Sequence, residues 1–209
     1  MSKNAPFKNI AVIGAGTMGS GIAGQIANSE QEVLLLDIPG KTPNSITEDA
    51  VKKLIRSDPP ALMHKNKANL IKVGNIRDDF NKLANCDLII EAVVERLDIK
   101  KDLYNRINNI VNSKCVITSN TSTIPIKLLV EDMPQSFRER FAITHYFNPV
   151  RFMRLLELVR GEHTKSEIIK KLADYNDRIL GKGVVACNDT PGFLGNRVGV
   201  YAMQIAMTE

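Results

Sequence analysis

The chain has 209 residues, of which 44% are apolar and 24% are charged, and its formal net charge is +5 at pH 7. This composition is typical of a globular protein and excludes a disordered or collagen-like chain. No apolar run is long enough to cross a bilayer, and the N-terminal residues lack the apolar core of a signal peptide. We therefore expect a cytoplasmic protein without a membrane span.

The cysteines and the net charge narrow the class of partner. Cys86, Cys115 and Cys187 have the spacing of neither a disulfide framework nor a metal site, so we expect reduced thiols and no bound metal. The positive charge is most simply a set of solvated lysines, and an anionic small ligand is the alternative. Nucleic acid is not expected, because no nucleic-acid motif or aromatic-interleaved basic patch accompanies the charge.

The N-terminal third predicts a strand–helix–strand unit. Aliphatic and β-branched runs at Lys8–Ile13 and Gln31–Asp37 are typical of buried strands. Between them, Thr17–Ser29 is rich in small residues and has helical spacing. Strand, glycine turn, helix and strand form the βαβ unit of a parallel sheet. A second helix, Asn44–Ser57, is followed by a polar, lysine-rich stretch that extends to Val73.

The rest of the chain predicts further strands at Asp87–Val94, Cys115–Ser119, Phe141–Phe147, Leu155–Val159 and Val184–Cys187. Helices are predicted at Arg96–Val111, at Ser166–Leu180 and from about Phe193 onward. No crossover helix fits between Phe141–Phe147 and Leu155–Val159, so the chain must turn back there or run as a bent edge. These elements predict an α/β fold of the Rossmann type, with a doubly wound, mostly parallel sheet.

The last predicted helix differs from the others because it is apolar on nearly every side. Such a helix is suited to burial between other helices, and the chain supplies none after it. We therefore expect residues 1–188 to form the cofactor-binding domain and residues 189–209 to begin a truncated, all-α C-terminal domain. The exposed apolar surface predicts self-association or a homodimer through this helix.

A glycine-rich turn predicts a dinucleotide site. Gly14, Gly16 and Gly19 form G-x-G-x-x-G directly after the first strand, and Thr17 opens the helix. Such glycines allow a tight turn, approach of a pyrophosphate to the backbone, and close packing of helix on strand. Asp37 ends the second strand about 20 residues on, where a carboxylate binds ribose hydroxyls and repels a 2′-phosphate. NAD is favoured over NADP; a flavin, or a turn with no ligand, are the alternatives.

Five motifs narrow the chemistry further, and they occur in the order GAGTMGSGIA, EAVVERLDIK, SNTST, HYFNP and DTPGFLGNR. Together they resemble the NAD-binding domain of the 3-hydroxyacyl-CoA dehydrogenase family. The loop from Asp58 to Leu83 and the FNPVR run are most similar to the long, multifunctional members of fatty-acid oxidation. The resemblance implies NAD-dependent oxidation of 3-hydroxyacyl-CoA to 3-oxoacyl-CoA, a step of β-oxidation.

The resemblance also implies roles for particular residues. His145 corresponds to the family's catalytic histidine and Glu157 to its carboxylate partner. Ser122 corresponds to the serine that contacts cofactor and substrate, and Asn196 to an asparagine on the substrate side. For the cofactor, the resemblance adds Met18, Val93, Val94, Glu95, Lys100 and Asn148.

Elementary chemistry is compatible with these roles. Oxidation of an alcohol by NAD moves a hydride to the nicotinamide and a proton to a base, and histidine suits the proton because its pKa lies near neutrality. A carboxylate on the other imidazole nitrogen fixes the tautomer. The alternatives are that His145 is a satisfied core residue, and that Glu157 pairs with Arg151 or Arg154.

A basic run on and after the second helix has two interpretations. Its lysines and arginines are most simply a solvated face, and the alternative is that Lys53 and Arg56 bind the phosphates of an acyl-CoA substrate. Two functional hypotheses remain at this point. The chain is either a dehydrogenase or a NAD-binding module that is inactive without its C-terminal domain.

Overall fold

The computed structural model describes residues 5–208 and contains one eight-stranded sheet. Its strands, in chain order, are β1 (Ile10–Ile13), β2 (Val33–Asp37), β3 (Ile71–Asn75), β4 (Leu88–Glu91), β5 (Val116–Ser119), β6 (Phe141–Tyr146), β7 (Leu155–Arg160) and β8 (Gly183–Cys187). Residues 1–4 and 209, which we assigned to the outer ends of the two predicted domains, lie outside the described residues.

The strand order is β3-β2-β1-β4-β5-β6-β7-β8. Strands β1 to β6 pair in parallel, β7 runs antiparallel to β6, and β8 is parallel to β7. The doubly wound, mostly parallel sheet is therefore confirmed, as is the expectation that the chain turns back after β6. The β6–β7 pairing places His145 directly opposite Glu157.

One strand was missed within the lysine-rich stretch. β3 lies at the edge of the sheet and pairs only with β2 among the described strands. Its Lys72 is exposed while Ile71 and Gly74 are buried. An edge strand beside solvent carries charged side chains that interrupt the continuous apolar run of a central strand, and this hides it from a search for such runs.

The helices cover both faces of the sheet. They are α1 (Thr17–Asn28), α2 (Ser45–Arg56), α3 (Leu97–Asn108), α4 (Ile126–Val130), α5 (Gln135–Arg138), α6 (Ser166–Asp174) and α7 (Gly195–Thr208). Short 3-10 segments span Lys65–Leu70 and Phe80–Asn85, and a π-helical turn, Tyr175–Ile179, continues α6. The predicted helix Ser166–Leu180 therefore combines α6 with this turn.

Alternation along β1 shows how the two apolar cores form. Ile10 and Val12 belong to the core under α1 and α2, whereas Ala11 and Ile13 belong to the core under α3. Successive side chains of a strand point to opposite faces of the sheet, so every residue of β1 is buried. Both faces are thus closed by helices, which leaves the strand ends as the place for a ligand.

Helix α7 stands apart from these cores. None of its residues is buried, and its apolar side chains are largely exposed, as at Val198 (60%), Tyr201 (66%) and Met207 (77%). Phe193, two residues before the start of α7, is buried. Within residues 5–208, no helix combines the length and the apolar character needed to cross a membrane.

Lys182 is a buried cation that faces carbonyl groups. It is 2% exposed, and its Nζ donates hydrogen bonds to the backbone oxygens of Val150 and Met153 in the loop between β6 and β7. Burial lowers the pKa of Lys182 from 10.5 to about 8. Lys182 therefore fastens the β6–β7 loop to the start of β8.

The pH dependence of stability tests this site. Between pH 8 and 10.5 the unfolded chain keeps a proton that folded Lys182 has lost, so stability should rise with pH in this window. We expect the free energy of unfolding of the wild type to gain about 1–3 kcal/mol relative to Lys182→Met between pH 7.5 and 10.5. Urea denaturation at several pH values measures the difference. If the stability difference between wild type and Lys182→Met did not change with pH, the lowered pKa of Lys182 would be contradicted.

Candidate active site

The glycine turn between β1 and α1 is shaped for a ligand. Gly14 has φ +103°, and a Cβ there would lie 2.4 Å from the Ala92 carbonyl oxygen. A Cβ on Gly19 would lie 1.8 Å from the Gly14 oxygen, so helix and turn pack without room for a side chain. At Gly16 nothing lies within 4 Å of the same position. The first amides of α1 have no partner within the helix and are open to an anion.

Asp37 lies at the end of β2, beside this turn. Its carboxylate accepts hydrogen bonds from the Ala15 amide (2.5 Å) and the Ile38 amide (2.6 Å). The carboxylate is half-buried and lines a cavity of about 800 Å³, with Ile38 and Ile76 among its apolar walls. Residues predicted to bind the cofactor meet in this cavity: Gly14, Gly16, Thr17, Met18, Asp37, Val93 and Val94.

Lys100 is placed differently from these residues. It is 1% exposed, and its Nζ lies 2.6 Å from Glu91 Oε1 and 3.3 Å from Glu95 Oε2. It is not among the residues that line the cavity. Its ammonium group is paired with these two carboxylates. Lys100 therefore influences a bound cofactor through Glu91 and Glu95.

Glu91 is a functional candidate that sequence reasoning missed. It is fully buried at the end of β4, and besides Lys100 it accepts hydrogen bonds from Tyr104 Oη (2.6 Å), Ser119 Oγ (2.7 Å) and the Val93 amide (2.8 Å). Burial and the adjacent carboxylate raise the pKa of Tyr104 well above its ordinary value, which keeps its proton available. The sequence contains a signal that could have identified Glu91: it is a glutamate at the end of an apolar strand, nine positions before a lysine.

The loop after β5 is tied to the same region. Glu95 accepts hydrogen bonds from the hydroxyls of Thr121 and Thr123. Burial raises the pKa of Glu95, but the Thr121 hydroxyl and Lys100 outweigh it, so this pKa lies below its ordinary value. Ser122 lies half-buried between the two threonines. The loop that carries Ser122 is therefore fastened to the segment that follows β4.

His145 and Glu157 form a direct pair across β6 and β7. The His145 Nδ1 atom lies 2.7 Å from Glu157 Oε2, and the two residues are 7% and 0% exposed. Burial raises the pKa of Glu157, but the Gly195 amide and the His145 ring outweigh it, so this pKa lies below its ordinary value. Arg151 instead donates to backbone oxygens of the loop after α2, and the ion-pair partner of Glu157 is His145 and neither Arg151 nor Arg154.

The start of α7 meets this pair from the other side. Glu157 Oε1 accepts hydrogen bonds from the amides of Leu194 (2.9 Å) and Gly195 (2.6 Å). Asn196, the next residue, is half-buried. Asn196 therefore directly follows Gly195, the residue whose amide contacts Glu157 of the pair.

A second cavity, of about 630 Å³, lies on the other side of the glycine turn. Gly16 and Thr17 line both cavities. Lys53 and Asn148 line only the second, and Arg56 is exposed outside its lining. Asn148 and Lys53 therefore share a cavity, although we had assigned them to cofactor and substrate respectively. No group of three or more histidine, cysteine or acidic residues is arranged for a metal ion in residues 5–208.

The strand order, the glycine turn and the aspartate at the end of β2 define a dinucleotide-binding domain of the Rossmann type. Residues 9–190 match the family described as 3-hydroxyacyl-CoA dehydrogenase, NAD binding domain. The chain belongs to this family, and NAD is its cofactor.

Known proteins of similar sequence and structure are named accordingly. The chain is 46% identical over 202 residues to a putative fatty acid oxidation complex trifunctional enzyme of Rickettsia felis, covering 95% of the chain and 28% of the relative. It is 42% identical to a probable 3-hydroxyacyl-CoA dehydrogenase of Deinococcus radiodurans, covering 96% of the chain and 59% of the relative. A 3-hydroxybutyryl-CoA dehydrogenase of Escherichia coli is 33% identical with a TM-score of 0.80, covering 92% and 40% of the two chains.

Proposed function

We propose that this chain carries the cofactor site and the proton-transfer pair of a dehydrogenase that oxidises 3-hydroxyacyl-CoA to 3-oxoacyl-CoA with NAD. The observation that carries the proposal is the buried His145–Glu157 pair at the carboxyl end of β6. The glycine turn follows β1 and Ser122 follows β5, so all three lie at the same edge of the parallel strands.

The proton has a defined path in this arrangement. Glu157 accepts from Nδ1, which leaves Nε2 of the neutral imidazole free to take the proton of the substrate hydroxyl. NAD, when bound, supplies the acceptor for the hydride that leaves the carbon bearing this hydroxyl. The carboxylate stabilises the imidazolium that results, and Ser122 and Asn196 hold the substrate oxygen near Nε2. His145 is thus the general base of the oxidation.

The remaining predicted residues serve binding. The glycine turn, Thr17, Met18, Val93 and Val94 form the cofactor cavity, with Glu95 and Lys100 ordering its wall. We assign the second cavity, which Lys53 and Asn148 line, to the junction of cofactor and acyl-CoA. Lys53 supplies a cation for a phosphate there, and Arg56 supplies a more distant one on the same helix.

Asp37 should select NAD over NADP. In Asp37→Asn the side chain keeps one acceptor oxygen for a neighbouring amide but loses its charge, which removes the repulsion of a 2′-phosphate. We expect about 10-fold weaker NADH binding and a higher ratio of NADPH to NADH affinity, because a charge-assisted hydrogen bond is lost. Fluorescence titration with both cofactors measures the ratio. Asp177→Asn, an exposed aspartate that lines neither cavity, is the matched control and should leave the ratio unchanged.

A second candidate is a NAD-binding module that does not turn over by itself. Two observations favour this candidate. No residue of α7 is buried, and the chain covers only 28% and 59% of the length of the two relatives named above. We propose that residues from 189 onward belong to a second, helical domain, and that α7 associates with further helices or a second copy of the chain.

Two measurements on one preparation separate these candidates. NADH binding is followed by calorimetry, and NADH oxidation by acetoacetyl-CoA is followed by absorbance. Binding with turnover supports the dehydrogenase, and binding without turnover supports the module. An absence of NADH binding would contradict both.

A further inference from the structure

Glu157 uses its two carboxylate oxygens for two different parts of the chain. Oε2 contacts His145 Nδ1 at 2.7 Å, whereas Oε1 accepts the amides of Leu194 and Gly195. Gly195 is the first residue of α7. Because Glu157 is fully buried, water has little access to replace either set of contacts if one is lost.

The start of α7 also packs closely on the pair. A Cβ on Gly195 would lie 2.9 Å from Phe147 Cζ and 3.4 Å from Glu157 Oε1. The Phe147 ring centroid is 4.5 Å from that of His145, and the Phe193 ring centroid is 6.0 Å from it. Since no residue of α7 itself is buried, this first turn is where the helix is attached to the domain.

We propose that the amides of Leu194 and Gly195, where the chain enters α7, are positioning groups for the proton-transfer pair. They hold Oε1 of Glu157 so that Oε2 faces His145. A Cβ on Gly195 would meet the Phe147 ring, which packs on His145, so a side chain there displaces either the helix start or that ring. This inference rests on the proposed role of His145 as the base. It adds that the orientation of the base depends on where α7 sits.

The physical reason is that the amides stabilise one rotamer of an ionised carboxylate. Two N–H groups and the positive end of a helix favour negative charge on Glu157. A carboxylate released from them has two equivalent oxygens and additional rotamers. His145 would then lose the fixed Nδ1–H···O contact that leaves Nε2 unprotonated, and the imidazole would populate both tautomers.

Gly195→Ala tests the proposal without requiring turnover. Nitrogen-15 NMR of the wild type should show the neutral imidazole of His145 protonated at Nδ1. In Gly195→Ala it should show a mixture of the two tautomers. In steady-state assays kcat should fall at least 10-fold while KM for NADH stays within about twofold. Gly199→Ala is the matched control, because nothing lies within 4 Å of its added Cβ on the same helix, and it should match the wild type.

Two further variants make each outcome decisive. Phe147→Leu combined with Gly195→Ala removes the ring atoms that the new methyl would meet, and should recover the single tautomer relative to Phe147→Leu alone. This pair also serves if Gly195→Ala does not fold. Glu157→Gln should disturb His145 in any case. If Glu157→Gln changes the tautomer and Gly195→Ala does not, the role of α7 is overturned while the base is retained. If Glu157→Gln leaves His145 unchanged, the pair and the inference both fail.

Discussion

His145→Gln should reduce NADH-dependent turnover of acetoacetyl-CoA by about 10²–10⁴-fold, the usual contribution of a positioned general acid or base. The amide side chain fills a similar space and can still bond to Glu157, but it cannot take up or release a proton at neutral pH. NADH affinity should stay within about twofold, because His145 does not line the cavity beside Asp37. Steady-state kinetics and calorimetry on the same samples measure the two effects.

The matched control for this variant is His163→Gln. His163 is an exposed histidine on the loop after β7, far from the glycine turn in sequence. Its substitution should change neither turnover nor NADH affinity. If His145→Gln instead lost NADH binding in parallel with turnover, the histidine would be a structural residue of the sheet and the proposed base would be wrong.

Glu91→Ala should have the largest effect on stability. It removes the main partner of Lys100, a lysine that is 1% exposed, and leaves the hydroxyls of Tyr104 and Ser119 without their acceptor. Breaking a buried ion pair by removing one member typically costs about 3–5 kcal/mol, because the remaining charge stays buried. We expect a loss of this size in the free energy of unfolding, measured by urea denaturation at pH 7.

Removing both charges should cost less than removing one. In Glu91→Leu combined with Lys100→Met neither charge is buried, so the double variant should be more stable than Glu91→Ala. Asp49→Ala, which breaks the exposed pair with Lys52, should have no measurable effect. Equal losses in the single and double variants would show that Glu91 acts through its hydroxyl partners and not through Lys100.

Glu91 also connects stability to cofactor binding. It accepts from the Val93 amide, and Val93 lines the cavity beside Asp37. Its Lys100 partner reaches Glu95, which holds the threonines on either side of Ser122. One buried carboxylate therefore orders the segment after β4 and, through Lys100, the loop after β5. The fraction of Glu91→Ala that remains folded should therefore bind NADH more weakly than the wild type does.

Local patterns in the sequence were sufficient for most of the sheet. The βαβ unit and the later strands follow from short-range periodicity, and the glycine turn follows from the conformations that only glycine adopts cheaply. The turn between β6 and β7 followed from chain length alone, because a crossover helix needs more residues than the chain offers there. β3 was missed because its exposed Lys72 breaks the apolar run that marks central strands.

The sequence by itself therefore determined the class of fold, the dinucleotide turn and the family. The tertiary structure alone decided which polar groups meet. It directs the Lys100 ammonium to Glu91, puts Asn148 on the cavity that Lys53 lines, and ties Glu157 to the amides of Leu194 and Gly195 where the chain enters α7. These contacts join residues that are up to tens of positions apart, and they depend on strand register and helix placement. Periodicity shows that a side chain is buried, but the register of the sheet decides what it is buried against.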